Sequence, residues 1–407
     1  MTHEDIARDD TEPTGPLAGT LVVDLSRALA GPHAGMMLGD LGARVVKVEA
    51  VGSGDETRRW GPPFVGPEND RQSSYFLSCN RNKESLALDL KSAADIRILT
   101  ALLERADVVV ENFRTGVMNR LGLSMARLHE INPRLVILSI TGFGHDGPEA
   151  GRAGYDQIVQ GEAGLMSITG SGPDDPQRMG VPIADLLSGM YGAYGVVAAL
   201  LERTTTGVGT VVRTSLLSAV VGVHAFQGTR VTIADEVPVA QGNHHPSIAP
   251  YGLFGCADGS VQISVGNESL WQRLCERFGI DGADPLLVDN ALRVRHRTHT
   301  IEVVERAFTA FTASELLAAL FEAGIPAGTV RSLDEVYRWD QAISQGLLLE
   351  VEHPTLGPIE LPGPPIRFFT TDGDAERETT KRSHRAPPLL DQHGPSLREW
   401  LTDGATR

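Results

Sequence analysis

Short apolar runs separated by amphipathic stretches set the rhythm of the first half of the chain. Gly19–Ser26 (GTLVVDLS), Arg44–Glu49 (RVVKVE), Asp107–Phe113 (DVVVENF) and Arg134–Gly144 (RLVILSITGFG) are rich in β-branched and other apolar residues. Uninterrupted runs of this kind read as strands buried on both faces. Helical patterns lie between them. One starts near Pro32 in PHAGMMLGDLG, where proline suits a first helical turn; others cover Asp95–Arg105 and Ser124–Ile131. The alternation predicts an α/β fold built on a doubly wound, mostly parallel sheet. A long helix is predicted from Asp185 to about Arg203, and GTVVRTS followed by LLSAVVGVHAF repeats the strand–helix theme.

After about Thr232 the texture changes. Tyr251–Gly266 (YGLFGCADGSVQISVG) reads as an antiparallel hairpin turning at Asp258–Gly259. Helical patterns follow at Ser269–Phe278, Ile301–Phe311 and Ala313–Ala323, so a smaller α+β domain is expected. From Leu347 the chain is rich in Pro and Gly, and no internal repeat is visible. The expected organisation is a polar, disordered leader at 1–16, a large Rossmann-like domain at 17–230, a small α+β domain at 231–340, and a segment at 341–407 that returns to the large domain.

Composition narrows this picture. A chain of 407 residues is long for one core, which agrees with two domains. No uninterrupted apolar run approaches the ~18 residues that span a bilayer, so no membrane partner is expected. The opening MTHEDIARDDTEPTGP lacks the basic-then-apolar order of a secretory signal. Three scattered cysteines form neither a disulfide framework nor a metal spacing, which points to a reducing, cytoplasmic setting. A formal net charge of −16 argues against nucleic acid, while a small polyanion remains compatible with a local gathering of cations.

Candidate chemistry is sparse. LAGPHAG after the first strand is not G-x-G-x-x-G, so a nicotinamide cofactor is disfavoured. Gly31, Gly35 and Gly39 recur every fourth residue, the spacing of a helix packed closely on a sheet or on another chain. SCNRNKES places Asn80, Arg81 and Lys83 together, and ENFRTGVMNRLG adds Asn112, Arg114 and Arg120 after a strand. In open parallel sheets ligands bind at the carboxyl ends of strands, so these segments are candidates to hold phosphates. The plain alternative is solvated surface. His33, His145, His244 and His245 lack H-x-x-x-H or H-E-x-x-H spacing, and no metal site is predicted. Asp185 stands alone in MGVPIADLLSGMYGAYG. It reads either as the N-cap of its helix or as an ionised nucleophile beside first-turn N–H groups that stabilise developing charge. Gly189 and Gly192 would leave room beside it for a bulky group.

The sequence resembles the class III CoA-transferases, the family of formyl-CoA:oxalate and carnitine CoA-transferases. The resemblance runs from about Leu17 to Pro388. VVDLSRALAGPHAGMMLGDLGARVVKVE, GSGDETRRWGPPF, SCNRNKESLALDLK, ADVVVENFRTGVMNRLGL, LSITGFGHDGP, GYDQIVQGEAGLMSITG, PIADLLSGMYGAYGVVAALLER and GNHHPSIAPYGLF carry it. It implies that Asp185 is the nucleophile, passing through an aspartyl anhydride and an aspartyl–CoA thioester. CoA and acyl-CoA are then substrates, with no resident cofactor, ATP or metal. The resemblance assigns CoA binding to Asn112, Phe113 and Arg120, with Leu121 flanking, and places Leu77, Asn80, Arg81 and Lys83 in the adenine and phosphate region. Ala50 stands where the formyl-CoA enzyme has an arginine, and Thr141 where it has a lysine. The family fold implies a Rossmann-like large domain, a smaller domain and a homodimer of interlocked rings.

Two alternatives remain. An α-methylacyl-CoA racemase would use an aspartate and the histidine of a G-H-D motif, but here the stretch is GYDQ, with Tyr155 in that place. Tyrosine, with a pKa of about 10, is a poor base for that step. A non-catalytic acyl-CoA-binding protein would not need Asp185. The loop QGNHHPSIAPYG, with Gly242 and Asn243, is similar to relatives that use succinyl-CoA and small dicarboxylic acids. A dicarboxylate acceptor is therefore expected, its distal carboxylate held by Arg27, Arg58 or His33.

Overall fold

A computed structural model describes residues 14–380 and 383–403. The expected leader at 1–16 lies largely outside them. The described residues form two compact units. The first comprises residues up to Ala163, Gly180–Thr229 and the chain from Asp340 onward; the second comprises Gly164–Met179 and Arg230–Trp339. The stretch 164–179, expected in the large domain, thus clusters with the second unit.

The first unit is built on six strands: β1 (Leu21–Asp24), β2 (Arg44–Glu49), β3 (Lys83–Ala87), β4 (Val108–Glu111), β5 (Val136–Thr141) and β6 (Val211–Ser215). All neighbours are parallel, in the order β3-β2-β1-β4-β5-β6. The doubly wound α/β reading is therefore correct. The order reverses between β1 and β4, and the carboxyl ends of those two strands flank the crevice where such sheets bind ligands. The helices on this frame include α1 (Ala30–Asp40), α2 (Ser74–Ser78), α3 (Ala93–Arg105), α4 (Asp156–Glu162), α5 (Ile183–Thr206) and α6 (Leu216–Gly222). Val23, Val46, Leu86 and Val109 of the strands meet Leu99, Leu102 and Leu103 of α3 in one core.

Helix α5 has 24 residues, and by length and composition alone it is long and apolar enough to cross a membrane. This amends the expectation from uninterrupted apolar runs. Within the unit it packs against α1, β5 and α6, as a core helix of an α/β sheet does. Its contact with α1 is close. A Cβ at Gly189 would stand 2.6 Å from the Ala30 carbonyl oxygen, and one at Gly192 would stand 2.9 Å from Leu138. These glycines seat a neighbouring helix and a strand side chain; they do not open space for a substrate. Gly35 of α1 likewise lies where a Cβ would be 3.0 Å from Asp24 Oδ2, which is the packing role expected of that spacing.

The second unit holds an antiparallel sheet of β7 (Tyr251–Gly255), β8 (Ser260–Ser264) and the short β9 (Ala327–Gly328), in the order β9-β8-β7. The hairpin turns through Cys256–Gly259, close to the expected place. Helices Glu268–Phe278, Arg297–Phe308 and Ala313–Glu322 close its core around Phe254, Trp271, Phe308 and Leu320.

Back in the first unit, the chain end runs along β3. Ala87 N–H donates to Asp391 Oδ1 at 2.7 Å, and Asp391 N–H to Ser85 Oγ at 2.9 Å. Leu397 and Leu401 enter the main core, and Trp400 lies between the guanidinium groups of Arg44 and Arg105.

Candidate active site

Asp185 is the third residue of α5. Pro182 occupies the N-cap position and has no side-chain acceptor, which leaves first-turn N–H groups to be satisfied from outside. Asp156, the first residue of α4, does this. Its Oδ1 accepts from the N–H of Ala184 at 2.8 Å and of Asp185 at 3.4 Å, while Oδ2 accepts from Gln160 Nε2 at 2.7 Å. The N-cap reading of Asp185 is thus corrected: another carboxylate caps the helix, and the Asp185 side chain makes no hydrogen bond among the described residues. The N–H groups of Ala184 and Asp185 are also engaged, so neither is a free oxyanion donor. Burial, and secondly the charge of Asp156, push the Asp185 carboxyl up to about 7.

Asp185 opens into a cavity of about 320 Å³. Arg27 and Ala28 enter it from the loop after β1, and Asn112, Phe113 and Arg114 from the turn after β4. Glu56, Trp60, Tyr75, Thr141, Arg152, Tyr155 and Asp156 also line it. The two loops are tied together. Asn112 Oδ1 accepts from Arg27 N–H at 2.8 Å, and its Nδ2 donates to the Arg27 carbonyl at 2.7 Å. The Arg27 guanidinium lies 5.2 Å from the centre of the Phe113 ring. Glu111 holds the same turn from beneath, accepting from Phe113 N–H at 2.9 Å. Burial, and secondly the charge of Asp185, raise the Tyr75 hydroxyl well above its ordinary value, so it stays a neutral donor.

A second cavity, of about 660 Å³, lies over the carboxyl ends of β1, β2, β3 and β4. Arg27 and Phe113 line both cavities. Leu25, Ala50, Val51, Leu88, Lys91, Val117 and Leu121 line the second alone.

Five of the expected site residues, Asp185, Arg27, Asn112, Phe113 and Tyr155, therefore meet in the first cavity, and Leu121 joins the second. Others are placed elsewhere. Lys83 is fully buried, and its ammonium donates to Asp24 Oδ2, the Pro32 carbonyl and Asn80 Oδ1 at 2.7–2.9 Å. Arg81 is held by both oxygens of Asp40 and by the Pro362 carbonyl. Asn80 is buried and donates to the Phe76 carbonyl, and Leu77 sits in an apolar cluster with Val351 and Leu361. The expectation that these four hold CoA is corrected. Lys83 opens β3 opposite Val45, near the start of β2, so the segment enters the sheet where its strands begin. The residues that leave β3, Leu88 to Lys91, reach the cavity instead.

Arg58 pairs with Glu49 through two contacts of 2.7 Å and lies over the Phe76 ring, so it has no free face for a substrate. His33 packs beside Gly189 and lines neither cavity. Burial, then the charges of Arg81 and Lys83, lower its pKa to about 4. Arg120 is exposed and lines neither cavity. Gly242, with φ +60°, and Asn243 belong to the second unit.

The sequence profile of CoA-transferase family III matches residues 17–394. The chain is a family III CoA-transferase. It is 37% identical to human succinyl-CoA:glutarate CoA-transferase over 392 residues, covering 95% of this chain and 86% of the relative. It is 35% identical to acetyl-CoA:oxalate CoA-transferase of Acetobacter aceti, covering 95% and 96% of the two chains. A CAIB/BAIF family protein from Brucella suis superposes with a TM-score of 0.83 at 37% identity, covering 95% of this chain and all of that one. In this transferase Ala50 and Thr141 both line cavity walls. Lys91 lines the same cavity as Ala50 and makes no ion pair among the described residues. Reading the chain from its sequence singled out Arg114 but missed Glu56, Leu88 and Lys91. The signal for the last two was their place just past a strand, in LALDLK.

Proposed function

We propose that the protein transfers CoA from succinyl-CoA to a small dicarboxylic acid, with Asp185 as nucleophile. The carrying observation is that Asp185 shares its cavity with two arginines, Arg27 and Arg114, that form no ion pair among the described residues. A carboxylate-bearing acyl group would supply the missing partner. The named acceptors of the relatives above, glutarate and oxalate, are both dicarboxylates.

Asp185 attacks the thioester carbon. The C–S bond breaks, CoA leaves as a thiolate, and a mixed anhydride remains. The thiolate then attacks the aspartyl carbonyl carbon and expels the donor acid, leaving Asp185 as its CoA thioester. The acceptor carboxylate runs both steps in reverse and frees Asp185. No proton or electron is consumed overall. In this reading the hydroxyl of Tyr75, which lines the same cavity, donates to the tetrahedral oxyanion. CoA lies along the second cavity, with Lys91 facing its phosphates, Phe113 and Leu121 its apolar parts, and Arg27 at the junction with the first cavity. The working form is a homodimer. Met190, Tyr194, Val197 and Leu201 form an exposed apolar stripe along α5, with Tyr194 74% and Leu201 70% exposed, a pattern suited to a second copy.

The test is a screen of acceptors with succinyl-CoA as donor. Glutarate and other short dicarboxylates should react, and butyrate should react at least about 100-fold more slowly in kcat/KM, the scale of a lost charged hydrogen bond. Equal rates for monocarboxylates would contradict the reading.

A further inference from the structure

We propose that Asp156 is a positioning residue for Asp185: its carboxylate holds the first turn of α5 and keeps a negative charge beside the reacting group, so that ionisation of Asp185 gates transfer on the acid side. The proposal rests on Asp185 being the nucleophile. Its ground is geometric. Helix caps ordinarily come from the N-cap residue itself. Here that residue is Pro182, and the acceptor comes from another helix, 28 residues upstream of Ala184. Gln160, fully buried, fixes the other oxygen of Asp156, so the carboxylate is pinned on both sides. Asp156 and Asp185 both face the first cavity.

The other charged and titratable groups around Asp185 come from several elements. Arg27 follows β1, Arg114 follows β4, and Glu56, Tyr75 and Arg152 also line the cavity. Arg152 is paired with Glu149 and Glu162. His33 lies on α1 where that helix meets α5. Helix α6 contributes no charged side chain, and β5 adds the uncharged Ile140 and Thr141 to the cavity. Among the described residues, Asp156 is the charged group that hydrogen-bonds to the turn carrying the nucleophile. A like charge at that place favours the protonated acid, which makes the carboxylate, once ionised, a stronger nucleophile. The elevated proton affinity of Asp185 agrees, with burial as the larger cause and Asp156 as the second.

The experiment follows formation of the Asp185–CoA adduct from succinyl-CoA in single-turnover mixing across pH, with the full chain. The unaltered protein should show an acid limb near pH 7. Asp156→Asn keeps an oxygen acceptor for the helix and removes the charge; its limb should move down by about one pH unit, with a slower plateau. Asp156→Glu restores the charge and should restore the limb. An unshifted limb in D156N, or equal shifts in D156N and D156E, overturns the proposal. If D156N does not fold, a limb below pH 5 in the unaltered protein overturns it alone. No adduct at any pH strikes down the nucleophile assignment, and this proposal with it.

Discussion

Asp185 combines partial burial, a nearby like charge and no hydrogen bond to its carboxylate. Each costs the folded protein stability when the group is ionised. The folded-state pKa, about 7, lies above the ordinary 3.8, so the folded form binds the proton more tightly. The contribution of this group to stability is then fully present below pH 3.8 and is lost as pH rises through 7. Asp185→Asn mimics the neutral acid. It should match the unaltered protein in thermal unfolding near pH 4 and exceed it at pH 8, by on the order of 2–4 kcal/mol. Equal melting at both pH values would contradict the assigned environment. At this scale the sequence was partly legible. Asp185 stood out as a lone charge in an apolar helix, and a family motif surrounded it. Its partner Asp156 was not legible, because only the fold brings α4 to the start of α5. The same reason explains the misplaced cations. Arg81 and Lys83 look like surface bases in a one-dimensional string. Asp40 and Asp24, some 41 and 59 residues away, make them interior ion pairs.

At the scale of elements, the contact of α1 with α5 carries the site. Gly189 lets the two helices approach until its hydrogen faces the Ala30 carbonyl. Gly189→Val should force them apart, destabilise the protein by about 1–3 kcal/mol and lower activity together, as read by chemical denaturation beside transfer rates. Wild-type behaviour in this variant would mean the approach is looser than described. The turn after β4 is the second determinant. Asn112 bonds both backbone groups of Arg27, so Asn112→Ala should raise KM for acyl-CoA by roughly tenfold with a smaller effect on melting. Strand–helix alternation made these elements readable, and the spacing of glycines announced tight packing. Which partner each glycine faced required the sheet order, since Gly189 and Ala30 lie far apart in the chain.

For the whole molecule, strand runs rich in Val and Ile announced a parallel sheet, and its 3-2-1-4-5-6 order puts both cavities beside the point where the winding reverses. The membership of 164–179 in the second unit could not be read locally, because those residues carry no strong hydrophobic period. The closing segment supplies Leu397 and Leu401 to the main core. A chain ending at Pro388 should therefore lose cooperative unfolding, checked by calorimetry; a sharp transition at the full-length temperature would contradict this. The homodimer proposed above predicts twice the chain mass in light scattering, and Tyr194→Glu with Leu201→Glu should shift it to monomer.

The central claim is that Asp185 carries the group in transit. Its most direct test is peptide mass spectrometry after mixing the protein with succinyl-CoA and no acceptor. A CoA adduct on the peptide containing Asp185 is expected, released by hydroxylamine and absent in Asp185→Asn, whose transfer rate should fall on the order of 10³-fold. A folded Asp185→Asn protein that still transfers CoA at the original rate, or an adduct on another residue, would contradict the account.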